Sequence, residues 1–416
     1  MRYLIVGAGK SGLAAAQLLK VRNIEFDLFD EKLKALPDHL QDLRLISEVK
    51  IANYSALVAS PGLPFHHHVL DKAREFRVPI ISEVDLALSG YSGKILAVTG
   101  TNGKSTTSAM CFHLLKESGF RAQLAGNIGI PITDLCREGL HEYIVLEVSS
   151  YQAEMSLLIC PQVCIFTNFS PDHLERHGTL GEYFRAKMSL VKQMNPQSFF
   201  VTEQHVSEFI EKEGFSTPHH TFMSDQIPEA LCASLKRIEA ICEPHNLKNA
   251  YQALLAVSCL TQIDISELWP KLATFQGLEH RCERVGSLGA TLVINDSKST
   301  NIDSTLTALK AFNGKIALLL GGRPKKESML PLLDYSEKIS RVITFGEASA
   351  QVKRELKALK IQEIPHISQL PELLMSHPLS EDVLLFSPGC ASFDQFQNFE
   401  DRGRQFKIVI SKLTNL

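Results

Sequence analysis

KILAVTGTNGKSTT, residues 94–107, joins a short apolar run to a glycine-rich turn and then to a helical pattern. Glycines let the backbone approach phosphate groups closely, and the start of the helix presents free N–H groups to them. Lys104 can reach the terminal phosphates, and Ser105 or Thr106 can ligate magnesium. The spacing departs from the strict Walker pattern, so the turn is a shorter variant. We therefore predict a nucleoside triphosphate site, in preference to a turn that binds nothing.

Strand-like and helix-like patterns alternate along the whole chain, and they start afresh twice. Apolar runs at residues 3–6 and 25–29 flank a helical pattern, and the run at 94–99 begins a second series. A third series follows Gly277 and contains four more apolar runs, at residues 292–295, 316–320, 342–345 and 383–386. This alternation predicts parallel sheets that are covered by helices.

The predicted fold class is therefore α/β. We expect three domains, because the pattern starts afresh twice and a chain of 416 residues exceeds what one core usually organises. We place an N-terminal Rossmann-like domain at residues 1–91 and a central P-loop ATPase-like domain with a parallel sheet at 92–277. A second Rossmann-like domain takes residues 278–416. The turn formers at residues 89–93 mark the first boundary.

The N-terminus carries a second glycine-rich turn. Gly7, Gly9 and Gly12 follow a strand pattern, and Asp30 ends the next strand pattern, as in dinucleotide-binding folds. The glycines require only a tight turn and a close approach to a diphosphate, so NAD and a nucleotide-sugar substrate both satisfy them. A purely structural turn is the third alternative.

Composition excludes several classes of protein. Hydrophobic residues make up 44% of the chain and charged residues 21%, with a formal charge of −3, which is typical of a globular protein. Because long basic runs and apolar runs of about 18 residues are missing, we expect neither nucleic-acid binding nor membrane insertion. The nine cysteines lack paired spacing, which favours a cytoplasmic protein with reduced thiols.

Polar residues follow several predicted strands. Glu147 ends an apolar strand, where a carboxylate is costly to bury unless it meets a cation such as Mg²⁺. Asp172 and His173 follow the next strand and could reach the same edge, although a surface turn is an equal alternative. Lys187, in a helical pattern, indicates by itself only a solvated lysine. The histidines at 66–68 are consecutive and share no face, so we expect surface residues rather than a metal site.

The last third of the chain has three polar strand ends: NDSKSTN (295–301), GGRPK (321–325) and SPGCASFD (387–394). Strand ends of a parallel sheet meet at one edge, so we expect these segments to converge on a ligand.

Together these motifs resemble the Mur ligases across nearly the whole chain. The matching segments are GTNGKST (100–106), GNIG (126–129), EVSSYQ (147–152), DH (172–173), HNLKNA (245–250), HR (280–281), NDSKSTN (295–301) and SPGCASFDQFQNFEDRG (387–403). The last segment and GAGKSG (7–12) are most similar to the member that adds D-glutamate. The L-alanine-adding member usually has His where Asn102 stands, and the Asn-Pro-Arg motif of the diaminopimelate-adding member is absent. Folylpolyglutamate synthases share the central loop but not this N-terminal domain or this ending.

The resemblance implies specific site residues, with Lys104, His173 and Lys187 as the catalytic ones. ATP would be bound by Gly100, Thr101, Asn102, Gly103, Lys104, Ser105, Thr106, Asn246, Asn249, Arg281 and Asp296. Magnesium would be held by Ser105, Glu147, His173 and Lys187, the last as a carbamylated lysine. The nucleotide substrate would contact Ser11, Asp30, Asn127 and Ser149, and D-glutamate would contact Lys298, Thr300, Lys325, Ser392 and Phe399.

The resemblance also implies the reaction and its cofactors, ATP and Mg²⁺. The alanyl carboxylate of UDP-N-acetylmuramoyl-L-alanine would attack ATP, and D-glutamate would then attack the acyl phosphate, during cytoplasmic peptidoglycan precursor synthesis. We expect a monomer. This sequence departs from the family at Glu31-Lys32, where a Thr-Arg pair is familiar, and at Arg323-Pro324, where Asp-Gly is more usual.

Two alternatives belong to other classes. An NAD-dependent oxidoreductase would use the N-terminal glycines but would leave the central loop and the polar strand ends without a role. A non-catalytic nucleotide-binding regulator would keep the loops and bind ATP without turnover.

Overall fold

The computed structural model of the chain describes most of the sequence. The described residues are 2–33, 43–60, 62–64, 66–128, 132, 141–156, 158–218, 220–238, 240–241, 244–325 and 327–414. The chain forms two compact units, Met1–Phe275 and Gln276–Leu416. Throughout the described ranges, every helix is too short or too polar to cross a membrane.

The first unit contains two parallel sheets within its described residues. The strands of the smaller sheet are β1 (Arg2–Val6), β2 (Glu25–Phe29), β3 (Ala56–Ala59) and β4 (Ile80–Ser82), in the order β2-β1-β3-β4. Those of the larger sheet are β5 (Lys94–Thr99), β6 (Ala122–Gly126), β7 (Tyr143–Glu147), β8 (Val163–Phe166), β9 (Phe199–Thr202) and β10 (His220–Met223), in the order β10-β9-β8-β5-β7-β6. The central position of β5 places the glycine-rich turn at the middle of the larger sheet.

Helices cover both sheets of this unit. They are α1 (Lys10–Val21), α2 (His68–Glu75), α3 (Glu83–Leu88), α4 (Lys104–Glu117), α5 (Ser150–Met155), α6 (Leu174–His177), α7 (Leu180–Lys192), α8 (Gln204–Lys212), α9 (Glu229–Leu235), α10 (Pro244–Thr261) and α11 (Ile265–Leu268), with 3-10 turns at Ile51–Asn53 and Trp269–Thr274. One apolar core runs from Ile5 of the smaller sheet through Leu86 to Phe166 of the larger sheet. The two sheets are therefore packed into a single unit.

The second unit has one mixed sheet. Its strands are β11 (Glu283–Leu288), β12 (Thr291–Asn295), β13 (Ile316–Gly321), β14 (Ile339–Phe345), β15 (Ile361–Glu363) and β16 (Val383–Gly389), in the order β11-β12-β16-β13-β14-β15. Its helices are α12 (Ile302–Ala311), α13 (Ser349–Glu355), α14 (Leu370–Ser376) and α15 (Phe399–Thr414), with 3-10 turns at Leu330–Tyr335, Gly346–Ala348 and Ile367–Gln369. Only β11, at the edge of the described sheet, pairs antiparallel, with β12.

The predicted α/β class is confirmed, and the predicted strands at 25–29 and 94–99 coincide with β2 and β5. The antiparallel strand β11 was not predicted. Its residues alternate between partly buried and exposed and include Arg284 and Gly286, so it has no apolar run of the kind that marked the other strands. The boundaries of the three domains stay a prediction.

Removing the ring of Phe406 is expected to destabilise the second unit. Phe406 and Phe386 are both fully buried, and their ring centroids lie 4.3 Å apart at an interplanar angle of 24°. We expect Phe406→Ala to lower the free energy of unfolding by about 3–5 kcal/mol, because it leaves a cavity. Urea unfolding followed by circular dichroism measures the change.

Ile408 provides the control for this variant, since it lies in the same helix with 56% of its surface exposed. Ile408→Ala should change stability by less than about 1 kcal/mol. Equal losses in both variants would show that helix propensity, rather than packing of the ring pair, sets the effect.

Candidate active site

The turn between β5 and α4 has the geometry of a phosphate-binding loop. Gly100 and Gly103 have φ values of +134° and +79°, and α4 begins directly after Gly103. A Cβ atom on Gly100 would lie 2.0 Å from Thr167 Oγ1, so only glycine fits there. The Lys104 Nζ atom donates to the carbonyl oxygens of Gly100 (3.1 Å) and Thr101 (2.7 Å). The turn thus presents a helix start and a lysine amine at one point.

Two asparagines from α10 approach this loop. Asn249 is buried, and a Cβ atom on Gly103 would lie 2.5 Å from its Oδ1 atom. The Asn249 amide also donates to Asn246 Oδ1 at 3.3 Å. The structure therefore brings both predicted nucleotide-binding asparagines beside the predicted phosphate loop.

Glu147 ends β7 beside Val98 of β5 and is 1% exposed. Its Oε1 atom accepts a hydrogen bond from Asn127 Nδ2 at 2.8 Å, while its Oε2 atom is buried without a partner among the described residues. Buried carboxylate oxygens normally have a partner, and oxygen ligands are what Mg²⁺ prefers. The unpaired oxygen therefore fits a cation at this position. The buried residue Ser105, whose hydroxyl could also bind a cation, lies in the first turn of α4.

Lys187 of α7 is not the solvated lysine that its local sequence suggests. It is 1% exposed, and its Nζ atom donates to the Gly100 carbonyl at 2.6 Å. Burial, and then the charge of Lys104, lower its pKa well below the usual value, while Asp172 and Glu147 act in the opposite direction. The amine therefore has a strong tendency to lose its proton inside the site.

His173 lies within an aromatic cluster and is partly exposed. Its backbone is left-handed with φ +51°, and its Nδ1 atom is 3.0 Å from the Tyr151 hydroxyl. Asp172 and His173 side chains are 48% and 44% exposed, so the alternatives of a surface turn and a site edge both describe their position. Tyr183 connects them to the loop, since its hydroxyl is 3.4 Å from Thr101 Oγ1 and its ring is next to Lys187 Nζ at 4.6 Å from the centroid.

The N-terminal glycine turn is held by Asp30. Its carboxylate accepts the N–H groups of Ala8 (2.8 Å), Lys32 (2.8 Å) and Leu33 (3.2 Å). Burial opposes ionisation, but these three hydrogen bonds outweigh it and hold the pKa of Asp30 below its usual value. The carboxylate thus orders the turn directly.

Ser11 and Ser149 lie close to buried polar groups. Ser11, at the start of α1, is hydrogen-bonded to Glu83, whose pKa is raised by burial. Gln152 bonds to the same carboxyl group, and Ser149 caps α5 by accepting the Gln152 N–H at 3.3 Å. Through Glu83, these contacts join the helix that follows the N-terminal glycine turn to the EVSSYQ segment. Gly129 of the GNIG segment lies outside the described residues.

The histidines at 66–68 meet the unusual residue Glu31. Glu31 Oε1 is 3.5 Å from His67 Nε2 and 3.1 Å from His68 Nδ1, and the three ligand atoms lie within 4.8 Å of one another. The Val69 N–H, however, donates to His67 Nδ1 at 3.3 Å. In a neutral ring, Nε2 then carries the proton and has no lone pair for a metal. The geometry therefore favours direct contacts between the Glu31 carboxylate and the two histidines over a metal site. The expectation of surface residues is wrong for His67, whose side chain is 10% exposed.

In the second unit, Asp296 directly follows β12 and is buried. It accepts hydrogen bonds from the Cys282 N–H at 3.1 Å and from the hydroxyls of Ser299 and Ser387. Burial raises its pKa to about 6, although these donors and the charge of Arg281 act to lower it. The structure thus brings together Arg281 and Asp296, which were both predicted to bind ATP.

Two of the residues predicted to contact D-glutamate, Lys298 and Phe399, come from separate segments of this unit and lie in contact. Lys298 Nζ lies 3.9 Å from the centroid of the Phe399 ring, which is a cation–π distance. Ser392 is 2% exposed, whereas Thr300 is partly exposed and Lys325 is exposed. Strands β12 and β16 are paired, as are β16 and β13, so the three polar strand ends converge as predicted.

The two departures have visible consequences. Arg323 donates to Glu347 at 3.1 and 3.2 Å, so its charge is paired with that carboxylate. Glu31 is held by the histidine pair described above.

Several polar residues at these sites were not predicted. Asn168 Oδ1 accepts the Asn102 N–H at 2.9 Å, and Thr167 Oγ1 donates to the Asn102 carbonyl at 2.6 Å. Both belong to the segment after β8, whose position at a strand end was the available signal. Tyr183 and the buried Arg402 had no local signal, because each lies in an ordinary amphipathic helix.

Comparisons with known proteins relate the chain to one family. Residues 98–231 match the family described as the Mur ligase middle domain. The chain is 34% identical to the UDP-N-acetylmuramoylalanine–D-glutamate ligase of Gloeobacter violaceus, over 99% of this chain and 99% of that relative. It is 30% identical to the ligase of the same name from Koribacter versatilis, over 99% and 97%.

Solved structures share the fold at lower sequence identity. The UDP-N-acetylmuramate–alanine ligase of Thermotoga maritima has a TM-score of 0.59 and 18% identity, and the match covers 99% of each chain. A MurF ligase from the same organism, in complex with ADP, has a TM-score of 0.57 and 17% identity over 99% of this chain and 95% of that one.

Replacing Gly103 by alanine is expected to impair nucleotide binding. The new Cβ atom would press on Asn249 Oδ1 in a left-handed backbone, so the loop must shift. We expect the affinity for a fluorescent ATP analogue to fall about tenfold, together with a stability loss of about 1–2 kcal/mol.

Gly119→Ala is the matched control for this loop variant. Gly119 follows the same helix with φ +83° and has open space around its Cα hydrogen. It should lose a similar amount of stability and keep its affinity for the analogue. Equal binding by both variants and the unchanged protein would argue against a nucleotide at this loop.

Proposed function

The chain belongs to the Mur ligase family, and we propose that it joins D-glutamate to UDP-N-acetylmuramoyl-L-alanine with cleavage of ATP to ADP and phosphate. Amide-bond formation driven by ATP is the activity of this family. The proposal extends it to a specific pair of substrates, on the strength of relatives that match over nearly the full chain. The observation that carries the mechanism is the meeting of Lys104, Lys187 and the unpaired Glu147 oxygen around the predicted phosphate loop.

The first step is the attack of the alanyl carboxylate on the γ-phosphate of ATP. Both reactants are anions, so their approach must be offset by positive charge. Lys104 and the first N–H groups of α4 supply it at the end of β5. When bound, magnesium would supply further positive charge, held by Ser105 and Glu147 and, at a second position, by His173 and carbamylated Lys187. A bond forms between the carboxylate oxygen and the γ-phosphorus, the bond from that phosphorus to the oxygen of ADP breaks, and ADP leaves.

The second step forms the amide bond. The neutral amine of D-glutamate attacks the acyl carbon, the carbon–oxygen bond to phosphate breaks, and phosphate leaves. Lys298, Thr300, Lys325, Ser392 and Phe399 are the residues proposed to hold D-glutamate. The proximity of Lys298 to Phe399 supports this assignment, because it places a cation at a partly enclosed position suited to a carboxylate.

Ser11, Asp30, Asn127 and Ser149 are proposed to position the nucleotide substrate. Asp30 orders the glycine turn, and Asn127 is hydrogen-bonded to Glu147. This gives the N-terminal glycines a diphosphate ligand without NAD.

We further propose a cytoplasmic monomer with three domains, at residues 1–91, 92–277 and 278–416, that acts in peptidoglycan precursor synthesis. The separate smaller and larger sheets of the first unit support the first boundary.

Phosphate release from ATP should depend on both proposed substrates. The assay contains magnesium, UDP-N-acetylmuramoyl-L-alanine and either D-glutamate, L-alanine, L-lysine or meso-diaminopimelate. We expect release with D-glutamate and a product that is heavier by one glutamate residue. Lys104→Ala should lower kcat at least about a hundredfold while circular dichroism stays unchanged, because it removes charge from the phosphates.

Other outcomes would redirect the assignment. Release with another amino acid would keep the ligase and change the substrate. ATP binding without any release would instead support a regulator, and absorbance changes at 340 nm with NAD(P)H and a carbonyl substrate would support an oxidoreductase.

Carbamylation of Lys187 should depend on pH and on CO₂. The neutral amine bonds to the carbon of CO₂ and releases one proton, so the adduct forms above the pKa of the amine and is lost as the pH falls through it. Because burial lowers that pKa well below its usual value, the neutral amine is available at a lower pH than in an exposed lysine. With ¹³C-bicarbonate, ¹³C NMR should show a carbamate signal that disappears on acidification.

Lys187→Met should lack the signal and most of the activity. Lys192→Ala is the control, since Lys192 is the exposed last residue of the same helix. A carbamate signal of equal size in Lys187→Met would contradict the assignment to Lys187.

A further inference from the structure

Arg402 is a fully buried cation within the second unit. It lies in the first turn of α15, where none of its surface is exposed, and it is the largest of the fully buried side chains. Burying a charged group costs several kcal/mol unless its partners compensate. A buried arginine therefore indicates a specific requirement at this position, which the mechanism above does not use.

The guanidinium group binds segments that follow different strands. Its Nη2 and Nε atoms donate to the Ser297 carbonyl (2.7 Å) and hydroxyl (3.0 Å), and its Nη1 atom donates to the Cys390 carbonyl (2.9 Å). The Nη1 atom is also 3.0 Å from the position that a Cβ atom on Gly322 would take. Arg402 thus binds the segments that follow β12 and β16 and lies close to the segment that follows β13.

The charge of Arg402 is not neutralised by direct contact. Among the residues that the structure describes, no carboxylate oxygen forms an ion pair with its guanidinium group, and its hydrogen bonds to Ser297 and Cys390 go to neutral oxygens. Asp394 and Asp296 act on it only from a longer range. Burial lowers its pKa to about 10, so Arg402 stays protonated at neutral pH.

The proposed amino-acid contacts surround these attachment points. Lys298 directly follows Ser297, and Phe399 begins the helix that carries Arg402. Ser297 Oγ also donates to the Phe399 carbonyl at 2.9 Å, so Arg402, Ser297 and Phe399 form one connected group. Ser392 lies two residues after Cys390 in the sequence.

We propose that Arg402 is a positioning and specificity-determining residue, which holds the segments after β12 and β16 in place and supplies a buried positive charge that offsets Asp296 and Asp394, so that the site selects an amino acid with two carboxylates. This inference rests on the proposed function, in which D-glutamate is that amino acid. An electric field from a buried charge is poorly screened by solvent, so it favours an amino acid with a carboxylate side chain over one of the same shape with a neutral amide side chain.

The test compares D-glutamate with D-glutamine in the phosphate-release assay. The wild-type enzyme should discriminate strongly, through KM or through the inhibition constant of D-glutamine. Arg402→Met should raise KM for D-glutamate about tenfold and reduce the discrimination ratio by a similar factor. Arg402→Lys should keep the ratio, because the charge remains, while kcat falls through loss of the forked hydrogen bonds.

Arg404→Met is the matched control, since Arg404 lies in the same helix, is 57% exposed and pairs with Asp401 at 3.8 Å. It should keep wild-type KM and discrimination. If Arg402→Met fails to fold by circular dichroism, Arg402→Gln replaces it as the uncharged variant that can still donate hydrogen bonds.

The outcomes separate this inference from the proposed function. Absence of D-glutamate-dependent release by the wild-type enzyme would overturn both. Wild-type release together with an unchanged discrimination ratio in the folded uncharged variant would overturn only the role of Arg402. A ratio lost in that variant and kept in Arg402→Lys would support it.

Discussion

The carbonyl oxygen of Gly100 accepts hydrogen bonds from two lysine amines, Lys104 at 3.1 Å and Lys187 at 2.6 Å. Two ammonium groups so close together repel each other, and the repulsion is strong where water is excluded. Lys104 begins a helix beside the loop and is partly exposed, whereas Lys187 is buried, so the cost of charge falls on Lys187. The carboxyl end of β5 thereby lies beside two different lysines. The charge of Lys104 is available to phosphate groups, and the amine of Lys187 tends to lose its proton. The chemistry proposed for the site depends on this division between two identical groups.

Most of the architecture could be predicted from periodicity alone. β5 lies at the predicted residues because its apolar and β-branched side chains leave no competing pattern, and β2 does so because Phe26 and Leu28 alternate with Glu25 and Asp27. The loop after β5 was predictable for the same reason, since its glycines and its lysine follow a strand and open a helix. Glu147 could be placed at a site because a carboxylate at the end of a buried strand is costly without a partner, and one of its oxygens has no partner within the described part of the chain.

The rest depends on tertiary packing that local sequence does not encode. Lys187 looks like a surface lysine when only its charge is considered. Its spacing from Tyr183 and Leu190, however, puts it on the apolar face of α7, and counting that period would have predicted its burial. Arg402 is different, because its partners lie far from it in sequence and are joined only by the sheet. Ser297 is 105 residues away and Cys390 is 12 residues away. β11 has one exposed face and an interrupted register, so its pattern is too weak to identify.

The shared core of the first unit, from Ile5 to Phe166, affects how a ligand meets this protein. It ties the glycine turn held by Asp30 to the loop held by Lys104, so the spacing between these two turns, both proposed to bind anions, is established during folding. A bisubstrate inhibitor with one phosphate group for each turn could be built on a rigid linker of that length. Its second group would bind at a high effective concentration, and little conformational entropy of the protein would be lost.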